Sequence, residues 1–221
     1  MDQRSMYASA SQTSVLETNK VLRNTYMLLA MTLAFSAVCA GVAMAVGLSP
    51  MMSLGMTIGA FVVLFVLNKK ADSASGIYWV FLFTGLLGAS LGPTLNMYLV
   101  NMGPGVIMQA LGATALVFFS LSGYALTTKK DFSFMSGFLV VGLVVVLVAA
   151  IANIFFAVPA VSLAISAAIV FIMSGFILVD TSRIIHGGET NYIRATVGLY
   201  LNIYNLFVSI LSLLGAFGGD D

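Results

Sequence analysis

The chain has 221 residues, of which 60% are hydrophobic and 8% charged, with a mean hydropathy of +1.06. A soluble domain carries about a quarter charged residues, so this composition excludes one and defines a membrane protein whose first partner is the lipid bilayer. A formal net charge of +1 gives no electrostatic footprint for nucleic acid.

Residues 1–24 are polar, rich in Ser and Thr, and carry Arg4, Glu17, Lys20 and Arg23. Too few apolar side chains are present to bury a core, so the segment reads as a flexible tail. Val38-Cys39-Ala40 faintly resembles a cleavage site. The polar segment ahead of it is too long, and the apolar run too extended, for a secretory signal.

Seven apolar stretches follow, at about 25–47, 51–68, 77–100, 104–126, 134–156, 158–180 or slightly beyond, and 195–217. Each is near the roughly 20 residues that cross a hydrocarbon core of about 30 Å. They lack the alternation of barrel strands, so the predicted fold class is an all-α membrane protein with seven transmembrane helices. The single cysteine, Cys39, lies within the first stretch and cannot form a disulfide inside one chain.

The links alternate in kind. Gly47 to Pro50, Asn101 to Pro104 and Ala157 to Pro159 are short and uncharged, whereas the others carry Lys69, Lys70 and Asp72; Lys129, Lys130 and Asp131; and Arg183, His186, Glu189 and Arg194. With the tail counted, all nine Lys and Arg residues fall on one side of a seven-span chain. The positive-inside rule makes that side cytoplasmic, with residues 218–221, ending in Asp220-Asp221, as a short external tail.

Small residues stand four apart in several spans, Gly55 with Gly59 and Gly88 with Gly92 among them. They suit close helix packing within the bundle or, as the alternative, a dimer interface. Pro93 is predicted to kink the third span or mark a short re-entry, with Asn96 placed to satisfy a freed backbone group. In the seventh span Gly198, Asn202, Asn205, Ser209 and Ser212 recur at steps of three and four, with Tyr200 and Tyr204 beside that stripe. A helix so polar is poorly solvated by lipid and is expected at the bundle centre, either as interhelical glue or as a transport path.

The sixth span holds the only carboxylate within an apolar stretch, Asp180. If this helix stops at Gly187-Gly188, Asp180 lies about 9 Å inside its end and level with Asn202 of the next helix. Arg183, one turn on, is placed to pair with Asp180 or to snorkel toward the headgroups. Asp180, Arg183, Asn202 and Asn205 form the candidate proton-sensitive or gating layer; an interfacial ion pair that anchors the helix end is the alternative. With one histidine and no nucleophile and base at a recognisable spacing, no catalytic, metal or cofactor site is read, and the chain is not expected to be an enzyme.

Asp180-Thr181-Ser182-Arg183-Ile184-Ile185, the link His186-Gly187-Gly188-Glu189-Thr190-Asn191-Tyr192, Leu199-Tyr200-Leu201 and Asn205-Leu206-Phe207 together resemble the Bax inhibitor family of seven-span membrane proteins. The likeness to one bacterial branch extends further, through Asn19 to Tyr26, Leu91-Gly92-Pro93, Gly112 to Phe119 and Leu126 to Asp131. The family resemblance implies six helices around a central seventh. For some members it implies a pH-sensitive leak of calcium or another cation, controlled by aspartates on helices six and seven and an arginine on helix two. Asp180 matches the first aspartate; Asn202 stands where the second is expected, and the span 51–68 has no arginine.

For the bacterial branch, the resemblance implies binding to FtsH, the ATP-dependent inner-membrane protease, and restraint of its activity. Arg4, Glu17, Lys20 and Arg23 are then the candidate partner-engaging residues of the tail. The leading expectation is an inner-membrane modulator of FtsH. The alternative is a calcium or proton leak gated near Asp180.

Overall fold

The computed structural model describes residues 3–73 and 75–218, with side chains described from residue 16 onward. Arg4 and the Asp220-Asp221 end therefore fall outside the described side chains. Among the described residues the secondary structure is helical: α1 (Gln3–Ala45), α2 (Pro50–Lys70), α3 (Gly76–Ser90), α4 (Gly92–Met102), α5 (Pro104–Thr128), α6 (Ser136–Phe156), α7 (Pro159–Ile185) and α8 (Tyr192–Phe217), with one turn of 3₁₀ helix at Ser133–Met135 before α6. With α3 and α4 joined as one, seven spans are long and apolar enough to cross a membrane, from Leu16–Ala45 to Tyr192–Phe217.

All four prolines stand in the first turn of a helix, at the starts of α2, α4, α5 and α7. A missing N–H costs nothing there, because the first-turn donors have no intrahelical partner. Pro93 thus divides the third span into α3 and α4 at Leu91. Asn96 donates from Nδ2 to the Met44 carbonyl at 3.1 Å, tying α4 to the last turn of α1.

The paired glycines differ in what they do. A Cβ on Gly88 would run into the Ser36 carbonyl, and one on Gly92 would lie 2.6 Å from the Ala43 Cβ. Both therefore set how closely α3 and α4 approach α1. Gly55 has nothing within 4 Å and Gly59 meets only Leu86, at 3.8 Å. That pair lies outside the tight packing of the bundle.

α8 is the most enclosed polar helix, packed against α1, α3, α5 and α7. Leu199, Tyr200, Leu206 and Leu211 are essentially inaccessible. α2 packs on α3 and α6 on α7, so these two form an outer layer rather than completing a ring of six in contact with the centre. Their outward faces carry Met51, Phe61 and Phe65 on α2 and Val144, Val148 and Phe155 on α6, as lipid requires.

The charged links meet on one face. Asn191 Nδ2 donates to the Ala71 carbonyl at 3.0 Å and to Asp72 at 2.7 Å, and Arg194 pairs with Asp72 at 2.5 Å. On the same face His186 Nε2 donates to the Lys129 carbonyl at 3.1 Å, and the Phe132 amide donates to Ser182 Oγ at 3.0 Å.

Candidate functional site

The site is built at the junction of α7 and α8. α7 ends where Gly187 adopts φ +74°, a left-handed conformation that costs an L-residue about 1–2 kcal/mol. The Gly187 amide then donates to the Ile184 carbonyl at 3.2 Å and the Gly188 amide to the Arg183 carbonyl at 2.8 Å, the two bonds of a Schellman stop. Asn191 caps α8 by accepting from the Ile193 and Arg194 amides at 2.8 and 3.1 Å. These two devices fix the angle and register of α7 against α8.

That register places Asn202 Nδ2 2.8 Å from Asp180 Oδ2, donating to it. Gly198, one turn before Asn202, leaves the room the carboxylate occupies: a Cβ there would stand 3.2 Å from the same oxygen. Toward the charged face, Asp180, Arg183, Glu189, Arg194 and Gly198 line a pocket of about 140 Å³. Two acidic and two basic side chains thus surround a volume large enough for several waters.

The other residues of the predicted layer stand differently. Arg183 is exposed and, among the described residues, forms no ion pair with Asp180; the one salt bridge found joins Arg194 to Asp72. Asn205 turns back on its own helix, donating to the Leu201 carbonyl at 2.8 Å. Glu17, Lys20 and Arg23 are exposed along the amino-terminal half of α1, away from this pocket.

Several contacts were not anticipated from the sequence. Tyr26 of α1 bonds Ser122 of α5, and both lie near Thr181 of α7, at 3.5 and 3.4 Å. Tyr200 shares a 2.7 Å bond with Ser36 and donates to the Thr84 carbonyl at 3.2 Å. Tyr204 reaches Ser90 at 3.3 Å, and Ser166 donates to Ser212 at 3.3 Å. Tyr200, Asn202, Tyr204 and Ser212 of α8 are thus each bonded to a neighbouring helix, whereas Asn205 bonds within α8. The available signal was the excess of hydroxyls within apolar runs, which marks buried polar positions but not their partners.

Seven membrane-crossing spans, with the polar α8 enclosed by α1, α3, α5 and α7, define a polytopic helical-bundle membrane protein. The chain belongs to the family described as inhibitor of apoptosis-promoting Bax1, which it matches over residues 18–219. Among curated relatives it is 55% identical over 214 residues to the Escherichia coli K12 protein named modulator of FtsH protease YccA, covering 96% of this chain and 97% of that one. It is 54% identical over 215 residues to an uncharacterized membrane protein of Vibrio cholerae, covering 96% of each. A Pseudomonas aeruginosa relative, also uncharacterized, is 50% identical over 206 residues and 93% of each chain. The spans, together with a further relative from Escherichia coli O6:H1 named inner membrane protein YccA and 55% identical over 214 residues, place the chain in the bacterial inner membrane as a multi-pass protein.

Proposed function

We propose that this protein binds the ATP-dependent membrane protease FtsH and restrains its activity on other membrane substrates, with no catalysis of its own. The observation that carries this reading is 55% identity, over 96% of the chain, to a protein named as a modulator of that protease. The charged face is taken as cytoplasmic because it gathers Lys69, Lys70, Lys129, Lys130, Arg183 and Arg194. The amino-terminal turns of α1 are taken as the engaging segment, with Arg4, Glu17, Lys20 and Arg23 as its charges. Unwound, about 24 residues at 3.3 Å each reach roughly 80 Å, enough to enter a protease ring while the bundle resists extraction.

The test is degradation of a membrane substrate by FtsH in proteoliposomes with and without this chain. Slower degradation that is relieved by deleting residues 2–18 supports the reading. Equal rates with a folded, co-inserted chain contradict it.

A second reading, a calcium or proton leak gated near Asp180, is favoured by the Asp180–Asn202 contact beside a charged pocket. An aspartate and an amide cannot share a proton as two carboxylates do, and α2 carries no arginine. The parent protein should therefore leak little cation from liposomes, with weak pH dependence, and Asn202→Asp should strengthen both. Robust parental calcium flux, lost in folded Asp180→Asn protein, would establish the leak instead.

A further inference from the structure

Away from Asp180, α1 and α5 are not packed along each other; Tyr26 bridges them at one end, through Ser122 and a ring contact with Phe118 at 6.1 Å. Beyond that bridge the helices enclose a crevice of about 470 Å³, floored by Tyr200, Ile203, Tyr204 and Phe207 of α8. Its α1 wall recurs at steps of three and one residues from Tyr26 to Met44. At 1.5 Å per residue this is a length of about 27 Å, close to the thickness of a hydrocarbon core. Ala30, Ala37 and Gly41 on one lip and Leu111 and Phe119 on the other are exposed, so the crevice opens sideways toward lipid.

Its chemistry excludes water and ions. Five lining side chains carry hydroxyls, and each is already bonded within the protein: Tyr26 to Ser122, Ser36 and Tyr200 to each other, Thr114 to the Ala110 carbonyl and Tyr204 to Ser90. A buried water needs two to four polar partners, which these walls do not supply. Its volume excludes another helix. A helix 10–12 Å across and about 27 Å long fills about 2,000 Å³ or more, several times the 470 Å³ of the crevice. An apolar occupant that is long, thin and supplied from the side is a hydrocarbon chain.

We propose that this crevice binds one acyl chain of a bilayer phospholipid, held between α1 and α5 against the Tyr200–Tyr204 face of α8. The occupant completes the α1–α5 contact beyond the Tyr26 bridge, and it lies over the Ser36–Tyr200 bond that joins α1 to the centre.

The test is native mass spectrometry of the full chain, taken into mild detergent from vesicles of phosphatidylethanolamine and phosphatidylglycerol. Ala37→Phe and Ala115→Phe fill the crevice, and Val144→Phe adds the same ring to the lipid-facing side of α6 as a control. The parent and Val144→Phe should each retain one phospholipid per chain. The two filling variants, checked for helicity and monodispersity, should lose occupancy about tenfold, equivalent to about 1.4 kcal/mol in binding. If either fails to fold, Ala37→Leu and Ala115→Leu give a smaller filling and a graded loss. No retained lipid in the parent, or equal retention in folded filling variants, overturns the proposal. So does a crevice occupied by a second copy, read as dimers that the filling variants abolish without changing lipid retention.

Discussion

Gly88 fixes the distance between α1 and α3, because any Cβ there meets the Ser36 carbonyl, and the Ser36 hydroxyl is in turn bonded to Tyr200. Gly88→Val is expected to cost about 1–3 kcal/mol or more, the range for forcing extra atoms into a packed site. Gly55→Val, with nothing within 4 Å, should leave stability nearly unchanged. Thermal unfolding in one detergent compares them directly; equal losses would contradict this packing. Asp131, in the exposed link after α5, behaves differently. Hydrogen bonds from the Ser133 hydroxyl and amide, aided by nearby His186, hold its carboxyl below the usual carboxylate range. A lowered folded-state value means stabilisation that is present above the ordinary range, about pH 3.9, and lost as pH falls through the lowered value. The unfolding temperatures of the parent and Asp131→Asn should therefore differ at neutral pH and converge in strong acid, whereas a constant gap would deny the linkage.

Two polar devices set the α7–α8 junction, and each has its own expected cost. Gly187→Ala places an L-residue at φ +74° and should cost about 1–2 kcal/mol. Asn191→Ala removes a helix cap, worth about 0.5–2 kcal/mol, together with the bonds to Ala71 and Asp72. Asp72→Ala removes an exposed ion pair and the exposed bond from Asn191, leaving the cap itself intact, and should cost no more than about 1 kcal/mol. An Asp72→Ala loss larger than that of Asn191→Ala would reverse this order.

Much of this junction is legible in the sequence. The helix stop is signalled by paired glycines after an apolar run, and the level of Asp180 with Asn202 follows from counting residues inward from both helix ends. The clasp is not legible, because Asn191 and Asp72 are 119 residues apart and nothing local to either names its partner. Arg183 and Asn205 show the limit of counting along one helix. Spacing puts Arg183 within reach of Asp180, but solvent at the helix end competes for a guanidinium. Asn205 shares the polar stripe, but its side-chain amide bonds to the Leu201 carbonyl, one turn back in its own helix, instead.

At the scale of the whole molecule, seven spans can be read from hydropathy and length alone. The arrangement about α8 cannot, because hydropathy separates lipid-facing from buried positions without naming neighbours. Hence α8 is predicted at the centre, while its sheath of α1, α3, α5 and α7, with α2 and α6 outside, emerges only from packing. Reporter fusions near Lys70, Lys130 and Gly188 should lie in the cytoplasm and one after Asp221 outside; a cytoplasmic carboxyl terminus would contradict the proposed orientation. The central claim is that this bundle is a partner and restraint of FtsH. Its most direct test is purification of the tagged full chain from its native membrane in mild detergent, with identification of what accompanies it. The account predicts that FtsH is recovered with the chain and is lost when residues 2–18 are deleted from a bundle that remains folded. Recovery of the folded chain without FtsH would contradict it.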